Sequence, residues 1–266
     1  NHLDIFVRQG IPGMQIPLPH ISGSDLSGIV TETGSAVKNV KVDDMVLAAP
    51  GIGCGTCKDC LDGRDNSCRK YTLIGYLTDG GYAEYVKFPA RNAIPIPEGM
   101  NFNEAAAVPL VFLTAWHMLH TRVKLQRDET VLVHSAGSGV GSAAIQIGKL
   151  LGARIITTAG SEDKLEKARE LGADETINYI KDDFYAKVKF LTERRGVDVV
   201  FEHVGSATFD KSVLSLAING RLVTCGATTG YKASIDLRYI FAKQLAIFGS
   251  YMGGIGELLE VLKFFP

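Results

Sequence analysis

The sequence predicts an α/β protein: a doubly wound parallel sheet preceded by a smaller β-rich domain. Three observations predict it. From Thr130 onward, short β-branched apolar runs alternate with amphipathic stretches. One strand-to-helix junction in that region carries glycines at alternate positions. Residues 1–100 instead hold short β-branched runs punctuated by Gly, Pro and Asp. The 266 residues suffice for two ordinary domains, and 46% apolar with 21% charged residues is the balance of a soluble globular chain. A net charge of −1 gives no reason to expect nucleic acid or a membrane as partner. No apolar run reaches a membrane-spanning length, and a cytoplasmic location is expected.

In the first region, strands are expected at Ser27–Thr31, Met45–Ala48 and Tyr82–Phe88, with turns at 34–37 and 42–44. Pro89, Pro95 and Pro97 close it, and the domain boundary is placed near Met100, giving domains 1–100 and 101–266. Helical sequence begins at Asn103, is interrupted by Pro109 and resumes over Leu113–Leu119. The second region then reads strand 130–135, helix 140–151, strand 154–158, helix 162–171, strand 175–179 and helix 182–194. Strand 197–203, helix 206–218, strand 221–225 and strand 245–250 follow, with a last helix from Glu257. Repeated βα units with right-handed crossovers put the strand ends on one edge of a parallel sheet, where ligands bind.

The glycine junction is Ala136-Gly137-Ser138-Gly139-Val140-Gly141, between a buried strand and a helix whose apolar face includes Ala144, Ile147 and Leu151. Residues without Cβ let the backbone turn sharply, and the helix N-terminus presents unpaired N–H groups suited to a pyrophosphate. Ala136 and Ser138 stand where the usual fingerprint has glycines, so a plain tight turn is the competing reading.

Four of the five cysteines, Cys54, Cys57, Cys60 and Cys68, lie within fifteen residues. Thiolates two residues apart on a glycine-rich turn can converge on one ion, and four sulfurs with no open position suit structural zinc. An iron–sulfur cluster is the rival, opposed by the wide last gap and by Arg69 after Cys68. Disulfides are the second rival. Cys225, at a strand end, reads as a small buried apolar residue.

These motifs make the chain resemble the medium-chain dehydrogenase/reductase superfamily, the zinc alcohol dehydrogenases and quinone oxidoreductases. The resemblance rests on the four-cysteine lobe, on the stretch from Pro19 to Val30, on Gly80-Gly81-Tyr82-Ala83-Glu84-Tyr85 and on the glycine junction. It implies a Rossmann-type doubly wound sheet with a GroES-like β-rich domain. It also implies roughly fifty further residues before Asn1 and a similar segment after Pro266.

Departures from the family pattern sharpen the reading. Asn1 stands where the alcohol dehydrogenases have the first catalytic zinc ligand, Leu3 where they have a relay hydroxyl, and Ser24 where they have the ligand histidine. Pro109–Thr114 supplies no third ligand. No catalytic zinc is therefore expected. Asn1, Asp4, Arg8 and Gly10 are instead similar to the quinone oxidoreductase branch, although Phe6 replaces its usual tyrosine.

Without a zinc Lewis acid a carbonyl must be polarised by side chains or water, which makes Asn1 the candidate hydrogen-bond donor and Asp4 an orienting residue, and the resemblance assigns Thr114 to the side of the nicotinamide. His2 is matched to a pyrophosphate contact and Gly226 to the nicotinamide ribose. The second strand of the sheet ends in Ala159-Gly160-Ser161 with no carboxylate to grip a ribose diol. Gly160 leaves room for a 2′-phosphate, Ser161 and Lys164 can bind it, and Tyr179 is placed beside it by the resemblance. NADP(H) is favoured over NAD(H), although Ser161 can equally be a helix cap and Glu162 and Asp163 lie close by.

The expected protein is an NADPH-dependent oxidoreductase acting on a small-molecule quinone, enal, enone or simple carbonyl, with one structural zinc. A homodimer or homotetramer paired through strand 245–250 is expected by analogy. Two alternatives stay open: a zinc alcohol dehydrogenase with a non-standard metal site built from Asp4, Asp25 and a residue outside this sequence, and a non-catalytic nicotinamide-binding protein.

Overall fold

The structure, a computed structural model, describes residues 1–11 and 13–265; Pro12 and Pro266 lie outside the described residues. The chain forms two units, residues 1–113 with 252–265, and Thr114–Tyr251.

The first unit begins with α1 (His2–Gln9). It continues through β1 (Ser27–Ile29), β2 (Met45–Ala48), β3 (Gly51–Ile52) and α2 (Lys58–Leu61). Next come β4 (Thr72–Leu73), β5 (Ala93–Pro95), α3 (Phe102–Ala107) and α4 (Pro109–Trp116). β1, β2 and β5 form an antiparallel sheet in the register Ser27↔Leu47 and Leu47↔Ile94, and β3 pairs with β4. α3 starts on a reciprocal cap: Asn101 Oδ1 accepts from the Glu104 N–H and Glu104 Oε2 accepts from the Asn101 N–H, each at 3.0 Å. Pro109 separates α3 from α4 because its ring cannot continue the preceding helix. α4 runs on into a π-helical turn, His117–Arg122.

In the second unit the chain alternates as βα units call for. The order is β6 (Thr130–Val133), α5 (Gly139–Leu150), β7 (Arg154–Ala159), α6 (Glu162–Glu170), β8 (Glu175–Asn178) and α7 (Phe184–Leu191). Then follow β9 (Val197–Glu202), α8 (Phe209–Ser215), β10 (Leu216–Thr224), α9 (Leu237–Ala242) and β11 (Ala246–Gly249). All pairs are parallel and the order is β11-β10-β9-β6-β7-β8. The order reverses between β6 and β9, which is where doubly wound sheets open a ligand crevice. Leu132, Ile156, Val200 and Leu222 form the buried centre of this sheet. The chain ends in α10 (Ile255–Leu262), whose Leu258 and Leu262 join Leu47, Ile94 and Leu113 in the core of the first unit.

The contacts divide the chain at Leu113 and again at Tyr251, because α3, the start of α4 and α10 all pack on the core of Leu47 and Ile94, whereas the sequence reading sets its boundary near Met100. Three sequence expectations change. Residues 2–9 are helical where a β-rich region was expected. Tyr82–Phe88 is not a strand: the Gly80, Gly81 and Tyr82 N–H groups bond irregularly to the carbonyls of Ile21, Gly23 and Ser22. A ladder needs a regular partner, and no described residue provides one for Tyr82–Phe88. The expected helix 206–218 ends at Ser215, because Leu216 is already paired with Val197 and fully buried.

Candidate active site and metal centre

Glycine-rich backbone in the first unit brings the four cysteine sulfurs together, all within 4.8 Å of one another. Cys54 Sγ and Cys60 Sγ are 3.9 Å apart. A tetrahedral zinc with thiolates at about 2.3 Å requires sulfurs at about 3.8 Å, so the spacing fits that ion. Backbone N–H groups of Thr56 and Cys57 donate to Cys54 Sγ at 3.5 and 3.3 Å, and those of Cys54 and Lys70 donate to Cys68 Sγ at 3.4 Å. Hydrogen bonds from Thr56 pull the Cys54 thiol down to about 5 and favour a thiolate. Desolvation pushes Cys60 up to about 12, so a cation is what would ionise it.

Two residues that sequence reasoning missed hold this lobe. Arg91 donates to the Gly53 carbonyl, and its guanidinium fills the space over Gly55, where φ is +77° and a side chain would collide. Asp65 Oδ1 accepts from the Ile255 N–H at 3.0 Å and ties the lobe to the start of α10. Burial raises the Asp65 carboxyl above its ordinary range.

A second polar group lies around α1. Asn1 Nδ2 donates to Asp25 Oδ2 at 2.8 Å, and the Leu110 N–H donates to Asp25 Oδ1 at 3.1 Å. Asp4 accepts from the Gly23 N–H at 3.2 Å and from the Tyr82 hydroxyl at 3.1 Å. Burial raises the Asp25 carboxyl against its two hydrogen bonds, while desolvation and the Asp4 charge raise the Tyr82 phenol. Ser24 is buried, and its hydroxyl has no partner among the described residues. The Asp4 and Asp25 carboxylates are thus spent on N–H and O–H donors. Among the described residues, only the four cysteines bring three or more metal-ligating groups together. Beside this group a cavity of about 850 Å³ is lined by Ile5, Arg8, Met14, Ile21 and Tyr82 among others. His2 is exposed on α1 with its ring 5.7 Å from that of Phe6.

The cofactor candidates all belong to the second unit, at the ends of parallel strands. Ala136–Gly141 follows β6, Gly160 and Ser161 follow β7, Tyr179 follows β8 and Gly226 follows β10. Parallel pairing therefore gathers them on one edge. Ser138 caps α5, its Oγ accepting from the Gly141 N–H at 3.0 Å, which leaves Gly139 and Val140 in a first turn without intrahelical acceptors. The Lys164 chain lies across Gly137, where a Cβ would be 2.8 Å from Lys164 Cδ. A Cβ on Gly160 would be 2.8 Å from the Tyr179 hydroxyl. Ser161 stands at the N-cap of α6 but makes no side-chain cap bond. Thr114 is buried in α4.

Beneath the glycine turn is a buried network of residues that sequence reasoning left as packing or surface. His134 Nε2 meets Ser212 Oγ at 2.9 Å, and that hydroxyl donates to Glu202 Oε2 at 2.8 Å. Glu202 also accepts from Thr208 Oγ1 and from the N–H groups of Val204 and Gly205. This donor pattern assigns His134 as the neutral Nε2–H tautomer, with Nδ1 accepting from Thr158 Oγ1 at 3.3 Å. Burial pushes His134 down to about 4. Burial opposes ionisation of Glu202, but hydrogen bonds from Ser212 and from the Gly205 and Val204 N–H groups hold the carboxyl below its usual range.

Comparison with known proteins matches both halves of the chain. Residues 1–98 match the alcohol dehydrogenase GroES-like domain and residues 139–265 the zinc-binding dehydrogenase family. A solved structure described as a NAD-dependent alcohol dehydrogenase is 45% identical with a TM-score of 0.95, covering 99% of this chain and 77% of that one. A crotonyl-CoA carboxylase/reductase of Cereibacter sphaeroides is 33% identical over 97% of this chain and 67% of its own length. A quinone oxidoreductase-like protein 2 of Bos taurus is 33% identical over 95% of this chain and 65% of its own. The chain thus spans about two thirds of these two relatives. With a GroES-like unit, a six-stranded parallel sheet and relatives of this kind, the chain belongs to the medium-chain dehydrogenase/reductase superfamily of oxidoreductases.

Proposed function

We propose that the chain is an NADP(H)-dependent oxidoreductase that reduces a quinone, an enal or enone, or a simple carbonyl without a catalytic metal. The observation that carries the cofactor choice is the corner after β7. It has no carboxylate in the ribose-binding position, the Tyr179 hydroxyl over Gly160, Lys164 laid across Gly137, and a Ser161 hydroxyl not used by its helix. These groups supply a cation and hydroxyl donors for a 2′-phosphate, and the first turn of α5 supplies N–H donors for a pyrophosphate.

When bound, the nicotinamide supplies the hydride chemistry. The chain's own residues orient and donate. Asn1 keeps one carboxamide N–H on Asp25, which fixes the amide plane and leaves its second N–H to polarise a carbonyl. Asp4 holds the Tyr82 hydroxyl and the Gly23 backbone in place, an orienting role. Thr114 is assigned to the nicotinamide side and Gly226 to its ribose. With Asp4 and Asp25 both hydrogen-bonded and Ser24 in the histidine position, the residues present do not fit a catalytic zinc. The four cysteines fit a structural one, which implies a reducing, cytoplasmic setting. Among the described residues the outer edge of β11 has no strand beside it, and we assign it to pairing with a second copy.

A second reading, NAD(H), is favoured by the description of the 45% identical structure as NAD-dependent. The deciding experiment compares kcat/KM for NADPH and NADH with quinone and enone acceptors. A preference for NADPH of about tenfold or more supports the proposal, since one charge-assisted phosphate site contributes at least ~1.4 kcal/mol. Equal or reversed preference refutes it. Cofactor binding with no turnover of any acceptor moves the chain to a non-catalytic binder.

A further inference from the structure

The first turn of α6 carries Glu162 directly after Ser161, so an acid follows immediately on the site assigned to the 2′-phosphate. An unpaired carboxylate there would repel a dianion. The structure shows it held: Asn178 Nδ2 donates to Glu162 Oε1 at 2.8 Å and Lys181 Nζ donates to the same oxygen at 2.9 Å. Asn178 is buried at the end of β8, and its own Oδ1 accepts from the Ile180 N–H at 3.1 Å, so its amide is fixed in this orientation. The N–H groups of Lys181 and Asp182 both bond to the Asn178 carbonyl, which sets the tight turn that brings Lys181 back toward α6. Asp182, the acid beside Lys181, pairs with Lys187 at 3.4 Å instead. The next residue after Asn178 is Tyr179, whose hydroxyl covers Gly160. One short turn thus places a hydroxyl over the site and ties the Glu162 carboxylate to Asn178 and Lys181.

We propose that Asn178 and Lys181 are positioning residues for cofactor specificity: they draw Glu162 away from the corner of Gly160 and Ser161 and cancel its charge, so that this corner accepts a 2′-phosphate. The assignment rests on the NADP(H) reading and names how that same site tolerates an acid next to it. Neither residue touches the cofactor; both act through Glu162.

The test uses isothermal titration of the full chain with 2′,5′-ADP and with 5′-AMP, which differ only in the 2′-phosphate. Lys181→Ala is expected to weaken 2′,5′-ADP about three- to tenfold, the scale of one partly screened charge beside a dianion. Binding of 5′-AMP stays within about twofold, because it has no 2′-phosphate for the Glu162 carboxylate to repel. Lys181→Arg restores the wild-type ratio, and in a Glu162→Gln background Lys181→Ala has no further effect. Equal weakening of both nucleotides, or a loss that persists with Glu162→Gln, overturns the assignment, as does an unchanged ratio in Lys181→Ala when the wild type prefers 2′,5′-ADP. A wild type with no preference for 2′,5′-ADP overturns the NADP(H) reading itself, and this assignment with it.

Discussion

Replacing His134 by glutamine removes a titration that ought to govern acid stability. In the native protein the imidazole is fully enclosed, with the Ser212, Thr158 and Glu202 side chains around it and a pKa near 4 against an ordinary 6.5. The native pKa is depressed, so between pH 6.5 and 4 the unfolded chain binds a proton that the folded chain refuses. Stability is therefore full above the unfolded value and falls as pH drops toward the folded value. Each unit is ~1.4 kcal/mol, which makes the His134 contribution to acid destabilisation about 2 kcal/mol by pH ~5. Protonation would also put a second N–H on Nδ1 against the Thr158 hydroxyl, which now donates to it. Urea unfolding at pH ~7 and ~5 reads the effect, with the acid-induced loss in wild type exceeding that in His134→Gln by about 2 kcal/mol. The variant is itself less stable at pH ~7, so the slope and not the absolute value carries the test. Parallel pH slopes in the two proteins would refute a neutral, desolvated His134.

Four further outcomes follow from the sites described. Cys57→Ser, or chelation of the wild type, should lower unfolding free energy by at least ~2 kcal/mol, read by calorimetry with zinc content measured alongside. Asp65→Ala frees the Ile255 N–H from its acceptor and should cost about 1–3 kcal/mol in denaturant unfolding. Gly160→Val displaces the Tyr179 hydroxyl and should raise KM for NADPH by about tenfold while NADH changes little, read in steady-state kinetics. Asp4→Asn loosens Tyr82 and the Gly23 backbone and should lower kcat by about tenfold with KM for NADPH unchanged.

The second unit was legible from sequence because its signals are local and strong. β6, β7 and β9 are rich in β-branched residues and almost wholly buried, as parallel strands must be, and the glycine turn marks the edge where ligands bind. The four cysteines were legible because spacing and residue type alone imply convergence. What was not legible depends on contacts distant in sequence. Arg91 reaches a carbonyl 38 residues away, Ile255 donates to Asp65 across 190 residues, and Tyr82 meets Asp4 across 78. The His134 network was hidden for the same reason: a lone histidine, a serine and a glutamate on three segments carry no common motif until the sheet assembles them. The Tyr82–Phe88 run has the aromatic and apolar composition of a strand, yet composition does not supply the neighbour that a ladder needs. α1 was missed because its apolar face, Leu3, Val7 and Phe6, is short and lies in a region dominated by strand signals.

The most direct test of the central claim is NADPH oxidation by protein whose zinc content has been measured. The account predicts one zinc per chain, bound by Cys54, Cys57, Cys60 and Cys68, and steady consumption of NADPH with a quinone or enone acceptor. Two zincs per chain, with turnover confined to alcohols and NAD and lost when the second ion is removed, would contradict it.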